Sequence, residues 1–263
     1  MLNWIYLFIL VISSGVGFYW GWRYVSRMKV IPRTLFILGA LAVVLCFAFY
    51  PAVVYNLIPL FLSDFIAVIR WIPFACLFFG IAAGMVKSKF LPYELAVLSL
   101  LLIVLGISRA GWIYKDNQID PSKFRMNEEG VCIQSTLHSC APASAVTLLN
   151  HWGIKATEKE MAELCHTTTW GTETMDVAFG LAKKLRGTGL KVELISANWD
   201  RLTKLEYPCL VNIKLNILVD HMRVVFSAKD EYVIIADPLY GKIKEDKKSF
   251  LGEWRGSAIF IRP

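Results

Sequence analysis

The chain has 263 residues, 28 Lys and Arg against 21 Asp and Glu for a net charge of +7, and 56% hydrophobic positions, against roughly 45–50% in soluble proteins. The charge is unevenly spread: residues 1–112 hold eight Lys/Arg and two Asp/Glu, and residues 113–263 hold twenty and nineteen. A single soluble domain, a disordered chain and a fibrous repeat are excluded, because so apolar a first half cannot face water. Nucleic acid is not an expected partner, since the second half is nearly balanced and offers no basic groove.

In chain order, the first half supplies four apolar stretches with polar breaks between them, at about 4–22, 35–55, 65–86 and 92–108. Each approaches the ~20 helical residues that a ~30 Å bilayer core requires, so an α-helical membrane region of four spans is predicted over residues 1–112. The first stretch lacks the positively charged start of a cleavable signal and is expected to be retained. Lys and Arg in short loops resist translocation. Arg23, Arg27, Lys29 and Arg33 therefore place the first loop in the cytoplasm, and Lys87 and Lys89 place the third there. The N-terminus, the loop at 56–64 and the polar half are then expected outside, on the extracytoplasmic face of a bacterial inner membrane. Asp64 and Arg70 read as groups near the outer end of the third span, the cation snorkelling to the surface. Gly80 and Gly84, four apart, allow close helix packing.

Residues 113–127 are polar and without hydrophobic periodicity, as a tether would be; 128–263 is long enough for one sizeable core. Helices are predicted at 140–152, stopped by Gly153, from Thr157, where Thr157 and Glu160 form a capping box, and at 174–186. Beyond Gly189 come short β-branched runs at 190–195, 209–213, 222–226, 232–236 and 258–261, read as strands. Asp237, Pro238 and Gly241 punctuate a turn. Helices followed by an antiparallel sheet make an α+β domain.

Within this domain Gln134, Cys140, His221 and Asp237 stand in the order of a thiol hydrolase. Cys140 starts a helix, where free N–H groups and the dipole favour a thiolate. His221 opens a strand, a position from which an imidazole can exchange a proton with sulfur. Asp237, sixteen residues on, ends the next strand after a hairpin and can return beside the ring to fix its tautomer. Gln134, six residues before the thiol, can offer its amide to a developing oxyanion together with the Cys140 N–H.

The stretch Gln-Ser-Thr-Leu-His-Ser-Cys-Ala-Pro-Ala-Ser-Ala at 134–145, the Trp170-Gly171-Thr172 loop, and His221 followed by Asp237-Pro238 resemble the C39 family of papain-like cysteine peptidases. The bacteriocin-processing members of that family cut leader peptides after a double glycine. The resemblance runs over about 130–263. It implies Cys140 as nucleophile, His221 as base, Asp237 as orienter and Gln134 in the oxyanion hole, acting on a peptide or protein with no metal and no cofactor. The sequence departs from the pattern at Ala141, where the family has Gly, and in its four leading spans without a Walker-type phosphate loop.

The resulting expectation is a membrane-anchored cysteine peptidase, with a membrane-protein partner for the surplus spans. A non-hydrolytic peptide-binding module of an export complex and a thiol acyltransferase or cell-wall amidase are the alternatives. Cys132, Cys165 and Cys209 are expected in an oxidising compartment, where one pair can form a disulfide, and Cys46 and Cys76 are assigned to packing. His138 is expected to line the cleft or face water, and a zinc site from His138, Cys140 and Cys165 lacks a fourth ligand. Trp170 and Tyr240 are either groove-lining or core aromatics.

Overall fold

The computed structural model describes residues 4–49, 51–64, 72–86, 90–116, 119–216 and 219–263. It divides into two compact units, one of residues 1–50 and 61–114, the other of residues 51–60 and 115–263. Arg70, Lys87 and Lys89 lie outside the described residues.

The first unit is helical: α1 (Trp4–Arg23), α2 (Val30–Phe49) and, beyond a segment that joins the other unit, α4 (Ile72–Met85) and α5 (Leu91–Asp116). Helices α1 and α4 pack closely enough for backbones to touch. A methyl group added at Gly80 would run into the Phe18 carbonyl, and one at Gly21 into the Leu77 carbonyl. The paired glycines on α4 thus face neighbours within the chain, Gly80 against Phe18 and Gly84 against Trp22 and Ser26, in the small-residue packing familiar between membrane helices. Among the described residues one stretch, Leu91–Ser108, is long and apolar enough to cross a membrane, while Val30–Val43 and Ile72–Met85 are apolar but shorter.

The stretch expected as the second span, 35–55, includes residue 50, which lies outside the described residues; it is helical up to Phe49, in α2, and again over α3 (Pro51–Leu57). Helix α3 belongs to the second unit: the Tyr55 ring lies 5.0 Å from that of Phe179, and its hydroxyl donates to the Val192 carbonyl at 3.3 Å.

The tether region is partly structured. Helix α5 runs on to Asp116, Asp120 caps a 3-10 turn at Pro121–Lys123, and β1 (Arg125–Met126) pairs antiparallel with β2 (Cys132–Ile133). Three helices follow, α6 (Cys140–His151), α7 (Glu158–Leu164) and α8 (Thr174–Lys184). The predicted capping box is half formed. Thr157 accepts from the Glu160 N–H, but the Glu160 carboxylate turns away to Lys184 at 2.6 Å. The strands β3 (Lys191–Ser196), β4 (Cys209–Lys214), β5 (Asp220–Lys229), β6 (Tyr232–Asp237), β7 (Gly241–Asp246) and β8 (Trp254–Arg262) form one antiparallel sheet in the order β3-β8-β4-β5-β6-β7. Two short helices, α9 (Trp199–Leu202) and α10 (Lys247–Glu253), complete the unit.

Alternation along the strands separates two cores. Leu210, Met222, Val224 and Ala236 face α6, α7 and α8, while Val211, Ile213, Val225 and Ile235 pack with Leu202 and Phe250 from α9 and α10. Helix α6 is buried at every position from Ala141 to Leu149, which makes it the rigid member against which the sheet is registered.

Candidate active site

Cys140 is the first residue of α6 and is half-buried. Four residues on, on the same helical face, the Ser144 hydroxyl donates to the Met222 carbonyl at 2.8 Å. Met222 is the neighbour of His221 on β5, so this buried bond ties the helix that carries the thiol to the strand that carries the imidazole. From β2, the Cys132 N–H donates to Thr147 of the same helix at 2.9 Å.

His221 is buried, and its Nε2 lies 3.1 Å from Oδ1 of the fully buried Asp237. Cys140 also acts on the ring, and with Nε2 turned to the carboxylate Nδ1 is the nitrogen left for the sulfur. With Nε2–H donating to the carboxylate, Nδ1 is free to take the thiol proton. Burial alone would pull the imidazole pKa down. The hydrogen bonds to Asp237 and Cys140, and the negative charge on both, outweigh it and raise the value to about 9. For Asp237, burial works upward, but hydrogen bonds from His221 and the Leu239 N–H and the charges of His221 and Arg223 hold the carboxyl below the usual carboxylate range.

Gln134 sits on the loop before α6. Its backbone N–H donates to the Pro238 carbonyl at 2.9 Å, which joins this loop to the turn after Asp237, and its Nε2 donates to the Thr136 carbonyl at 2.7 Å. Ser139 closes the loop onto the helix start by accepting from the Thr136 N–H at 3.1 Å.

The Peptidase C39 family profile matches residues 128–263. The chain belongs to the peptidase C39 family. Among curated relatives, a protein of Methanothermobacter thermautotrophicus is 28% identical over 52% of this chain and 90% of its own length. The Lactococcin-G-processing and transport ATP-binding protein LagD of Lactococcus lactis is also 28% identical, over 51% of this chain but 19% of its own length. The chain therefore spans about a fifth of that processing transporter. The peptidase domain of Streptococcus ComA, a bi-functional ABC transporter involved in quorum sensing, is 29% identical over 50% of this chain and 96% of that domain, with a TM-score of 0.45. The C39 region is thus homologous to peptidase domains of transporters that process bacteriocins, in a family of cysteine peptidases.

Of the C39 residues expected from sequence, Cys140, His221 and Asp237 come together, and Gln134 lies on the adjoining loop. Two groups were missed. Arg223, two residues beyond His221, places Nε 2.6 Å from Asp237 Oδ2 as an ion pair not aligned for a hydrogen bond. Its sequence signal is a lone cation in the apolar run 222–226. Glu158, fully buried in the first turn of α7, accepts from the Ser135 N–H at 2.8 Å and so backs the Gln134 loop; as the residue after an N-cap it reads as ordinary helix chemistry.

The expected disulfide is corrected. Cys132, Cys165 and Cys209 are all free and buried, one on β2 against α6, one at the end of α7 against Gly180 of α8, and one inside the sheet. Burial pushes the Cys132 and Cys209 thiols up to about 12 and the Cys165 thiol well above its ordinary value. Trp170 and Tyr240 are not core aromatics, being 81% and 74% exposed. His138 is half-buried, and the described residues hold no group of three His, Cys, Asp or Glu side chains suited to a metal.

Proposed function

We propose that this protein is a membrane-anchored cysteine peptidase that cleaves a peptide or protein substrate through Cys140, His221 and Asp237. The observation that carries the reading is the buried pair of Asp237 Oδ1 and His221 Nε2 at 3.1 Å, with Cys140 acting on the same imidazole. Once His221 has taken the thiol proton, the sulfur attacks the scissile carbonyl carbon. The oxyanion forms beside the helix start, where the Cys140 N–H and the Gln134 amide are the donors. Collapse expels the amine, which takes its proton from the imidazolium. Water, deprotonated by His221, then attacks the thioester and releases the acid and the thiol.

Double-glycine leader peptides are the first substrate class to test, because processing transporters share this domain. The decisive measurement is product mass spectrometry after incubation of the full-length protein with such peptides. Specific scission that disappears in Cys140→Ala is expected; intact peptide with the parent protein would remove the reading.

Four spans with the catalytic unit on the extracytoplasmic side complete the proposal. Two features support it: the Lys and Arg of the first loop, and residues 51–60, which pack within the same unit as 115–263. In the proposed topology the chain leaving α2 and the chain leaving α5 emerge on one side, with an even number of crossings between them. Labelling an engineered cysteine at Lys242 in intact cells tests this, and protection from an impermeant reagent would reverse the orientation.

A further inference from the structure

The strand that carries His221 also carries a guanidinium that the proposed chemistry does not use. The Arg223 side chain is 10% exposed, and an ion taken out of water costs several kcal/mol unless its partners are well placed. Its partners are three carboxylates. Nε faces Asp237 Oδ2 at 2.6 Å, Nη1 donates to Glu245 Oε2 at 3.0 Å, and Glu253 stands 3.9 Å from Nη1. The sheet register explains the first contact. Val224 pairs with Ala236, so on the next rung Arg223 stands across from Asp237.

The two oxygens of Asp237 consequently have separate duties. Oδ1 receives His221 Nε2 at 3.1 Å and the Leu239 N–H at 2.8 Å, while Oδ2 faces only the guanidinium. A buried carboxylate without that cation could rotate, or take the proton of the imidazolium it is meant to hold. A cation beside Asp237 also carries a cost, because it cancels the negative charge that steadies a protonated His221. Glu245, on β7, restores one negative charge to the cluster, and Glu253 contributes from its more exposed position. Burial raises the Glu245 pKa, Arg223 opposes that rise, and Glu253, Asp246 and Asp237 add to it. His221, Asp237, Arg223 and Glu245 thus form one chain of alternating charge, with Glu253 as a second carboxylate beside Arg223.

We propose that Arg223 is a positioning residue, pinning Oδ2 of Asp237 so that Oδ1 remains committed to His221, with Glu245 offsetting its charge. The proposal rests on the peptidase reading, and its sign separates it from a simple charge effect. Deleting a cation that acts only through space would make His221 easier to protonate. Deleting one that holds Asp237 in place loosens the hydrogen bond at Nε2 and makes His221 harder to protonate.

The test is the titration of His221 in the full-length protein in detergent, followed by nitrogen NMR on a sample labelled in its four histidines, with the signal assigned through His221→Gln. In Arg223→Met the His221 midpoint is expected to fall by about one pH unit, the scale of a lost neighbouring-group interaction, and kcat by about tenfold with KM little changed. Arg223→Lys, which keeps the charge, recovers most of the midpoint but less of kcat. Should Arg223→Met fail to fold, Arg223→Met/Glu245→Gln removes both members of the pair, and the same fall is expected. A midpoint that rises or stays put overturns the proposal, even with cleavage intact in the parent protein. If the parent cleaves nothing while the midpoint still falls in the variant, the peptidase reading fails and the positioning role stands.

Discussion

On the helix side of the site, Cys140 is placed by apolar burial along α6 and by neutral hydrogen bonds, from Ser144 to the Met222 carbonyl and from Cys132 to Thr147. On the strand side, His221 is placed by ions: Asp237, Arg223 and Glu245, all largely buried. The contrast follows from what each arm must do. A nucleophile at a helix start needs only to be held still, since the backbone N–H groups around it are fixed by the helix itself. An imidazole that gains and loses a proton needs a surrounding charge that answers each change, and uncharged packing cannot supply one. Neutral packing tolerates small errors, whereas a buried charge left without its partner is costly.

The largest break in this comparison falls on the charged arm. His221→Ala is expected to lower peptide cleavage by at least about 10⁴-fold, the scale on which members of such a unit act together, and to slow alkylation of Cys140. Asp237→Asn, which keeps the shape but not the charge, should lower kcat by about 10²- to 10⁴-fold; measured kcat within a factor of a few of the parent would show that the carboxylate has no part in orienting the ring. On the helix side the losses shrink. Glu158→Ala frees the Ser135 N–H behind the Gln134 loop and should weaken inhibition by a peptide aldehyde about tenfold, because that adduct needs the oxyanion donors. Alkylation, which makes no oxyanion, should be unchanged, and an equal loss in both would point to general unfolding.

Two stability measurements sharpen the contrast. The folded-state pKa of His221, about 9, lies above its ordinary value of 6.5. Its contribution is therefore complete below pH 6.5 and lost as the pH rises through 9. Asp237, held below the usual carboxylate range, contributes above that range and loses its effect as the pH falls beneath it. The midpoint of thermal unfolding should decline between pH 6.5 and 9 in the parent and decline less in His221→Gln. Smallest of all, Ser144→Ala removes one buried hydrogen bond, for a loss of about 0.5–1.5 kcal/mol, with activity falling in step with the folded fraction by circular dichroism.

Much of the charged arm could be read from the residues alone. Cys140, His221 and Asp237 announce themselves through their order and through the strand and hairpin lengths between the last two, since local periodicity dictates where each side chain emerges. Arg223 does not, because its meaning depends on a partner across the sheet, and register is a long-range property. Glu158 is hidden for a similar reason: its acceptor role is defined by a loop 23 residues earlier in the chain. Strand β7 escaped because its alternation of Lys, Glu and Asp at a sheet edge lacks the apolar period by which strands are found.

Helix α3 carries a practical consequence for anyone who handles this protein. Its Tyr55 rests on Phe179 and Val192, yet it is joined by peptide bonds at both ends to the hydrophobic portion. A protease nick just after Asp116 would therefore leave the C39 unit tethered through that small helix, and release would require α3 to peel away as well. A water-soluble version begun near Ile119 would bare the patch that α3 covers, so supplying residues 51–60 as a separate peptide, or grafting them on, is the remedy.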